Sequence, residues 1–300
     1  MRNPKIDLVN TTYQMTYGTA DVNVARNLMV PSNQNVTIAV LDTGIDYNYF
    51  GFNQPFLYNN TTQPEPCKAT GMEDYYGWDF VNQDNDPFDD GYGHGTRVSY
   101  LIKEILREHN VNFQILPVKV FDQNGEGSYF DILCGFKYAV NKGDVDIINM
   151  SFGWYHDRYE LLQRFIQESE ERVLITASAG NYAVDTDIVP HFPSGYENPN
   201  IISTAALQGF TNGIGLASFS NYGISSVDIA AKGENIPFYI APNDFILLSG
   251  TSYANAVVSA HAGIQYTQGI SIQELVYETL ETTLYHQNLQ MLQYSSYADY

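Results

Sequence analysis

Basic residues, cysteines and long apolar segments are all scarce in this chain of 300 residues, and each shortage excludes a class of protein. Lys and Arg together number 14 against 34 Asp and Glu, which gives a formal net charge of −20. Phosphate binding depends largely on clustered Lys and Arg, so nucleic acid is not an expected partner. No apolar run approaches the ~20 residues that cross a bilayer, so we expect no membrane partner either. The net acidity is interpreted as a solubility feature, although a cationic peptide would suit it better than nucleic acid.

Cysteine usage also narrows the possibilities. Cys67 and Cys134 are the only two cysteines, so the chain has neither a disulfide framework nor the CxxC or Cys/His spacing of a metal site. Two isolated cysteines leave the redox compartment and their own pairing open. The first residues lack the apolar core of a signal peptide. We therefore expect either a cytoplasmic protein or a secreted one whose export signal has been removed.

Apolar runs alternate with amphipathic stretches along most of the chain, which is typical of parallel strands joined by helices. We predict strands at 36–41, 113–120, 144–150, 173–177, 200–205 and 227–231. We predict helices over 98–106, 161–166 and 251–268, and a further one that begins with the capping box at 271–274. The predicted fold class is α/β, a three-layer sandwich with a central mainly parallel sheet and helices on both faces. It forms a single domain over 1–300, with an N-terminal extension at 1–30 and a C-terminal tail at 285–300.

Four residues with catalytic potential lie where this fold gathers reactive groups, at the carboxyl ends of strands and the starts of helices. Asp42 ends the first predicted strand, and His94 lies between two glycines that let other backbone approach closely. Asn181 follows the fourth predicted strand. Ser252 lies between small residues at a loop-to-helix junction, as in a nucleophile elbow, where tight packing exposes the hydroxyl.

Each of these residues also has an ordinary structural explanation when it is taken alone. An Asp or Asn after a strand commonly caps a turn, a His at a helix entry is commonly exposed, and a Ser at a helix start is commonly an N-cap. All of these explanations would have to hold at once. The order Asp, His, Asn, Ser contains the Asp…His…Ser order of subtilisin.

Six ordered segments, over about 36–264, make the chain resemble the subtilisin-like serine peptidase family. They read VLDTGID at 40–46, GHGT at 93–96, NMSFG at 149–153, ASAGN at 177–181, SFSNYG at 218–223 and SGTSYA at 249–254. The resemblance implies a serine endopeptidase that hydrolyses peptide bonds through an acyl-enzyme. Ser252 would attack the carbonyl, His94 would take its proton and Asp42 would orient His94. Asn181 and the N–H of Ser252 would stabilise the oxyanion.

The resemblance also assigns residues to the binding of a peptide or protein substrate. Those expected to hold the peptide backbone or to form the walls of the main pocket are Gly127, Ser128, Ser151, Phe152, Gly153, Ala179 and Gly180. The floor of the pocket would lie near His191. If Asp185 and Asp187 face this pocket, a cationic residue before the scissile bond is favoured.

The segment after the nucleophile departs from the family pattern, because Ala256 occupies a position that is usually proline. Alanine keeps the N–H that proline lacks. We expect this N–H to bond the carbonyl of Ser252 and close a regular first turn, with the Ser252 side chain pointing at His94. A serine turned away from His94 would instead favour a protein that binds peptides without cutting them.

The chemistry itself requires no cofactor, but a structural calcium ion is possible. Oxygen-bearing side chains cluster shortly before His94, at Asp79, Asp84, Asn85, Asp86, Asp89 and Asp90. Loops of this composition can bind Ca²⁺. A solvated polar loop has the same composition and EF-hand spacing is absent, so the sequence leaves a metal site open.

The sequence is compatible with three functions. The first is hydrolysis, either by a mature domain that has lost a pro-region or by a narrow-specificity processing peptidase, such as one that removes leader peptides. The second is a catalytically impaired pseudoprotease that binds peptides by strand addition. The third is a peptide ligase or cyclase, in which an amine captures the acyl-enzyme. The oligomeric state is left open.

Overall fold

Strands and helices alternate through the residues that this computed structural model describes, which are 35–52, 56–60, 67, 72–91, 93–208, 215–281 and 291–293. The strands are β1 (Val36–Asp42), β2 (Trp78–Asp79), β3 (Phe113–Lys119), β4 (Ile147–Met150), β5 (Trp154–Tyr155), β6 (Leu174–Ser178), β7 (His191–Phe192), β8 (Ile201–Leu207), β9 (Ile229–Lys232), β10 (Ile236–Ala241), β11 (Asp244–Leu248) and β12 (Met291–Gln293). The helices are α1 (His94–Glu108), α2 (Tyr129–Asn141), α3 (Glu160–Glu168), α4 (Thr251–Thr267) and α5 (Ile272–Glu281).

The central sheet has eight strands in the order β12-β9-β8-β6-β4-β1-β3-β2. Its neighbouring strands run parallel, except that β12 is antiparallel to β9. Side chains alternate across strand β1 with a period of two. Ile38 and Val40 pack with α1 and α4 on one face, whereas Ala39 and Leu41 pack with α2 and α3 on the other. The predicted three-layer α/β fold is therefore confirmed.

All six predicted strands form, with ends within three residues of the predicted ones. The helices predicted in α1, α3, α4 and α5 also form. Helix α2 was not predicted, because buried residues occupy most of its length and leave no clear polar face. Strand pairs as short as β5 and β7 likewise carry too few residues to give a periodic signal.

The structure answers one question that the sequence leaves open, the pairing of the cysteines, and differs from one expectation, the C-terminal tail. Cys67 and Cys134 are joined by a disulfide, which ties Cys67 to helix α2. Within the predicted tail at 285–300, Met291–Gln293 forms strand β12, which covers one edge of the sheet at β9. The extension predicted at 1–30 lies outside the described residues. Among those described, no helix combines the length and apolar composition needed to cross a membrane.

Helix α4, which begins at Thr251, is buried along almost its whole length and is held on the sheet by polar contacts. Ser259 Oγ donates to the carbonyl of Asn255 at 3.0 Å and accepts from Asn149 Nδ2 at 2.8 Å. The only proton of the Ser259 hydroxyl goes to that carbonyl. In the 2.6 Å contact between Ser259 Oγ and Thr176 Oγ1, Thr176 is therefore the donor. Ser259 therefore satisfies buried polar groups of both β4 and β6.

Replacing Ser259 with alanine should destabilise the fold, because it removes the buried partner of the Asn149 amide and the Thr176 hydroxyl. We expect Ser259→Ala to lower the free energy of unfolding by about 1–3 kcal/mol. Urea denaturation measures this change in the free energy of unfolding, with the same m-value expected for the variant and the wild type. The control is Ser225→Ala, at an exposed serine, which should stay within about 0.5 kcal/mol of the wild type. Equal effects of the two substitutions would contradict this account of the helix–sheet contact.

Candidate active site

A cleft of about 490 Å³ lies at the carboxyl edge of the sheet, where β1, β4 and β6 are neighbours. Asp42 ends β1, Ser151 follows β4 and Ser178 ends β6, and all three line the cleft. His94 at the start of α1 and Ser252 at the start of α4 also line it. The fold therefore gathers residues more than 200 positions apart in sequence at one edge.

A short polar contact in the cleft joins Asp42 to His94. The Nδ1 atom of His94 lies 2.8 Å from Asp42 Oδ1 and 2.9 Å from Oδ2. The carboxylate is buried and also accepts from the N–H of Thr43 at 2.8 Å. Because an ionised carboxylate only accepts, Nδ1 carries the proton, and Nε2 is left as the basic nitrogen of neutral His94.

A glycine after His94 makes this contact possible. A Cβ on Gly95 would lie 2.3 Å from the carbonyl oxygen of Gly44 and 3.0 Å from the Cβ of Asp42. Any larger residue would push the start of α1 away from the end of β1. The close backbone approach expected from the two glycines around His94 is therefore observed at Gly95, whereas the atoms nearest to a Cβ on Gly93 belong to the Arg97 side chain, at 3.4 Å.

Two opposing effects act on the pKa of His94. Burial, the largest effect, lowers the pKa because it penalises the imidazolium. The charge and the hydrogen bond of Asp42 raise it, and the net pKa lies above the ordinary value of histidine. His94 is thus a stronger base than a free imidazole while its Asp42 contact holds.

The hydroxyl of Ser252 does not point at His94, so that prediction was wrong. It donates to the backbone carbonyl of Ser151 at 3.0 Å, and no hydrogen bond between the side chains of Ser252 and His94 occurs in the described part of the chain. In contrast, α4 runs without interruption through Ala256, which confirms the regular first turn expected where proline is missing.

The side chain of Asn181 has a fixed orientation. Its Oδ1 accepts from the N–H of Thr251 at 2.8 Å and from the Thr251 hydroxyl at 2.9 Å. Because Oδ1 is occupied by two donors, the Nδ2 group is the end of the amide that remains for the cleft. It lies beside the residues that precede Ser252, 3.8 Å from the position that a Cβ on Gly250 would take.

One end of the cleft is a pocket formed by Gly153, Tyr155, Gly180 and His191, which we call the specificity pocket. His191 is buried, as expected of a floor residue, and its Nδ1 contacts Ser194 Oγ at 2.8 Å. Burial lowers the pKa of His191 to about 4, so the imidazole is neutral at neutral pH. Tyr155 was not predicted from the sequence, although its position two residues after Gly153 was a usable signal.

The two acidic residues predicted near this pocket do not line it. Asp187 instead accepts from the N–H of Ser225 at 3.0 and 2.9 Å, and Asp185 accepts from the N–H of Asp187 at 3.0 Å. Asp185 therefore binds backbone within its own loop, whereas Asp187 binds the backbone of a second loop, at Ser225. Their positions therefore do not support the prediction that they favour a cationic residue before the scissile bond.

The remaining predicted binding residues fall into two groups. Ser151, Phe152, Gly153 and Gly180 line the cleft, whereas Gly127, Ser128 and Ala179 are not among its lining residues. Ser128 caps α2 by accepting from the N–H of Asp131 at 3.1 Å, and the carbonyl of Ala179 accepts from Asn221. Their contact with a longer peptide stays a prediction.

The acidic loop before His94 uses its carboxylates for local contacts. Asp79 accepts from the N–H groups of Val81 and Asn82 at 2.7 and 2.9 Å, and Asp86 from the Tyr47 hydroxyl. Asp90 forms an ion pair with Lys119 at 3.1 Å. No group of three or more His, Cys, Asp or Glu suited to a metal occurs among the described residues. Calcium binding stays a prediction that the contacts of this loop do not require.

Comparison with known proteins gives consistent relationships. The sequence model of the subtilase family matches residues 33–293. A thermophilic serine proteinase of Bacillus sp. strain AK1 is 31% identical over 253 residues, which are 81% of this chain and 56% of that protein. The chain thus spans little more than half the length of this relative.

Two solved structures share the fold. A cold-adapted subtilisin-like serine proteinase superposes with a TM-score of 0.60 at 25% identity, over 81% of this chain and 80% of the other. A lanthipeptide protease superposes with the same TM-score of 0.60 at 21% identity, over 81% and 79% of the two chains.

The pH dependence of any activity that uses His94 as a base should reflect its contact with Asp42. We expect kcat/KM to fall as pH drops through the pKa of His94, with a midpoint above the value of about 6.5 for free histidine. Asp42→Asn should move this midpoint to lower pH, because burial remains while the stabilising charge is gone, and should reduce kcat by roughly 10⁴. Asp157→Asn removes an exposed carboxylate and serves as the control. A midpoint that Asp42→Asn leaves unchanged would contradict this assignment.

Proposed function

This chain belongs to the subtilase family, and on that premise we propose that it is a serine endopeptidase in which Ser252, His94 and Asp42 form the catalytic triad. The observation that carries the proposal is the buried contact between Asp42 and His94 Nδ1, at 2.8 Å, in a cleft that Ser252 also lines. It leaves the basic Nε2 of His94 as the group that accepts a proton.

The reaction proceeds through an acyl-enzyme. Ser252 Oγ attacks the scissile carbonyl carbon while its proton passes to His94 Nε2. The imidazolium, stabilised by Asp42, then gives that proton to the leaving amine nitrogen as the C–N bond breaks. Water attacks the ester with the same proton transfers in reverse, which releases the acid and restores Ser252.

Asn181 and the N–H of Ser252 stabilise the negative oxygen of each tetrahedral intermediate. Support comes from the two Thr251 donors that occupy Oδ1 of Asn181, which leave its N–H groups for the oxyanion. Donors held in place before the reaction need no reorganisation as charge develops.

The position of the Ser252 hydroxyl bears on a second candidate, a protein that binds peptides without cutting them. Its bond to the Ser151 carbonyl is the observation that favours this candidate. A serine hydroxyl reorients by rotation about a single side-chain bond, and hydrogen bonds between catalytic groups often tighten only when substrate binds. Because all four polar groups of the triad and oxyanion site are present, we favour hydrolysis.

We further propose that the natural task is processing of a restricted set of peptides, such as removal of a leader. The support is a structural neighbour described as a lanthipeptide protease, together with a specificity pocket that has polar groups at its floor. Mass spectrometry of a proteome-derived peptide library would show a few related cleavage sites. Cleavage at many unrelated sites would contradict a processing role.

Labelling by a fluorophosphonate separates the two candidates. The wild-type protein should be labelled at Ser252, whereas Ser252→Ala should be unlabelled and should lose roughly 10⁶ in kcat, the size of the effect in subtilisin. Ser249→Ala, which changes a serine three positions earlier, is the control and should still be labelled. An unlabelled wild-type protein that still binds peptides would favour the binding function.

Replacing the proposed oxyanion donor should affect the transition state more than the bound substrate. We expect Asn181→Ala to lower kcat by roughly 10²–10³ with little change in KM, again the size of the effect in subtilisin. Steady-state kinetics on one peptide substrate measures both constants. A loss confined to KM would contradict the oxyanion role.

A further inference from the structure

The floor of the specificity pocket is built from a pair of facing residues on two short strands. Tyr155 on β5 and His191 on β7 are antiparallel partners, and their rings lie 4.8 Å apart between centroids. Partners of this kind place their side chains on the same face of the sheet. Here that face is the pocket, because both residues line it.

Two glycines leave the polar atoms of this floor accessible to a substrate side chain. A Cβ on Gly180 would lie 2.8 Å from the Tyr155 hydroxyl oxygen and 3.1 Å from His191 Nε2. A Cβ on Gly153 would lie 2.4 Å from the same Nε2. The hydroxyl and the ring nitrogen are therefore close enough together to bond two atoms of one side-chain end.

The Tyr155 hydroxyl has its proton available for the pocket. Asn221 is buried, and its Oδ1 accepts from the N–H groups of Tyr182 and Val184 at 3.0 and 3.2 Å, which fixes its amide orientation. Its Nδ2 donates to the Tyr155 oxygen at 2.8 Å. Because this oxygen already receives a proton from Asn221, its own proton is available for an acceptor in the pocket.

The Nε2 atom of His191 is an acceptor. Ser194 Oγ donates to the carbonyl of His191 at 3.3 Å and also contacts Nδ1 at 2.8 Å. The serine has a single proton, so both contacts hold together only if Nδ1 carries the imidazole proton. Nε2 then presents a lone pair, in accord with the lowered pKa of this buried ring.

We propose that the specificity pocket selects a substrate with glutamine or asparagine immediately before the scissile bond, and that Tyr155 and His191 are the residues that determine this choice. The side-chain carbonyl accepts from the Tyr155 hydroxyl, and the amide N–H donates to His191 Nε2. We call the residue immediately before the scissile bond the pre-scissile residue. Because cleavage defines this residue, the kinetic consequences of the inference rest on the proposed function.

Other side chains satisfy the floor less well. An aliphatic or aromatic residue offers no acceptor for the Tyr155 proton and no donor for His191 Nε2, and it desolvates both. A carboxylate accepts from Tyr155 but faces the lone pair of His191, and no Lys or Arg is among the described residues that line the cleft. A Lys or Arg side chain has no acceptor for the Tyr155 proton.

Peptides that differ only in the pre-scissile residue test the proposal. We expect kcat/KM for the glutamine or asparagine peptide to exceed that for leucine by on the order of 10²-fold, because two buried groups lose partners in the leucine complex. Glutamate and lysine peptides should also be poorer, by at least about tenfold. A preference for glutamate, lysine or an apolar residue would overturn the proposal.

Tyr155→Phe removes the donor while leaving the ring, and Asn221 keeps its bond to the Ala179 carbonyl at 2.8 Å. The preference for the amide over leucine should fall by roughly tenfold, with the leucine peptide cleaved at least as well as before. The matched control is Tyr222→Phe, at an exposed tyrosine next to Asn221, which should keep the preference. Equal preferences in both variants would contradict the role of Tyr155.

Binding to the Ser252→Ala protein separates this proposal from the proposed function. Dissociation constants for the same peptides should follow the same order, at least tenfold tighter for glutamine or asparagine than for leucine. If the wild type cuts no peptide but this order holds, the proposed function fails and the pocket assignment stands. If peptides are cut without an amide preference, the pocket assignment fails and the proposed function stands.

Discussion

The hydrogen bond between Asp42 and His94 connects the end of strand β1 to the start of helix α1, and the geometry of the cleft depends on it. Charged groups hold both sides of this contact. Lys119, itself buried, donates to the carbonyl of Thr43 at 2.9 Å and so fixes the residue after Asp42. Asp89 accepts from the N–H of Gly93 at 2.9 Å, immediately before His94. Loss of the Lys119 contact or of the Asp89 contact should first displace the imidazole of His94.

Helix α4 supplies the second half of the site under a different constraint. It is almost entirely buried, so its position is set by packing together with a small number of polar contacts to the sheet. The carbonyl of Ser252 accepts from Ser151 Oγ at 3.1 Å, and the Asn255 amide donates to the Thr176 carbonyl at 3.1 Å. The start of α4 is thus held by Ser151, which follows β4, and by Thr176 in β6, while the hydroxyl of Ser252, the proposed nucleophile, keeps one rotatable bond.

The sequence was sufficient for the parts of the fold and site that depend on long patterns or on ordered motifs. Buried strands such as β1 carry continuous apolar runs, and the segments around Asp42, His94 and Ser252 were recognisable from their small neighbours and their order. Three features were out of reach for physical reasons. The hydroxyl direction of Ser252 depends on an acceptor 101 positions away, at Ser151. The pairing of Tyr155 with His191 rests on two strands of two residues each. The positions of Asp185 and Asp187 are set by loop backbone N–H groups that no side-chain pattern reveals.

A crystal structure with a bound peptide boronate, which mimics the tetrahedral intermediate, tests most directly whether substrate brings Ser252 to His94. We expect a covalent bond from Ser252 Oγ to boron. One boronate oxygen should lie about 2.7–3.1 Å from Asn181 Nδ2, with His94 still bonded to Asp42. A peptide bound in the cleft while the Ser252 hydroxyl remains on the Ser151 carbonyl, with no covalent adduct, would contradict this account.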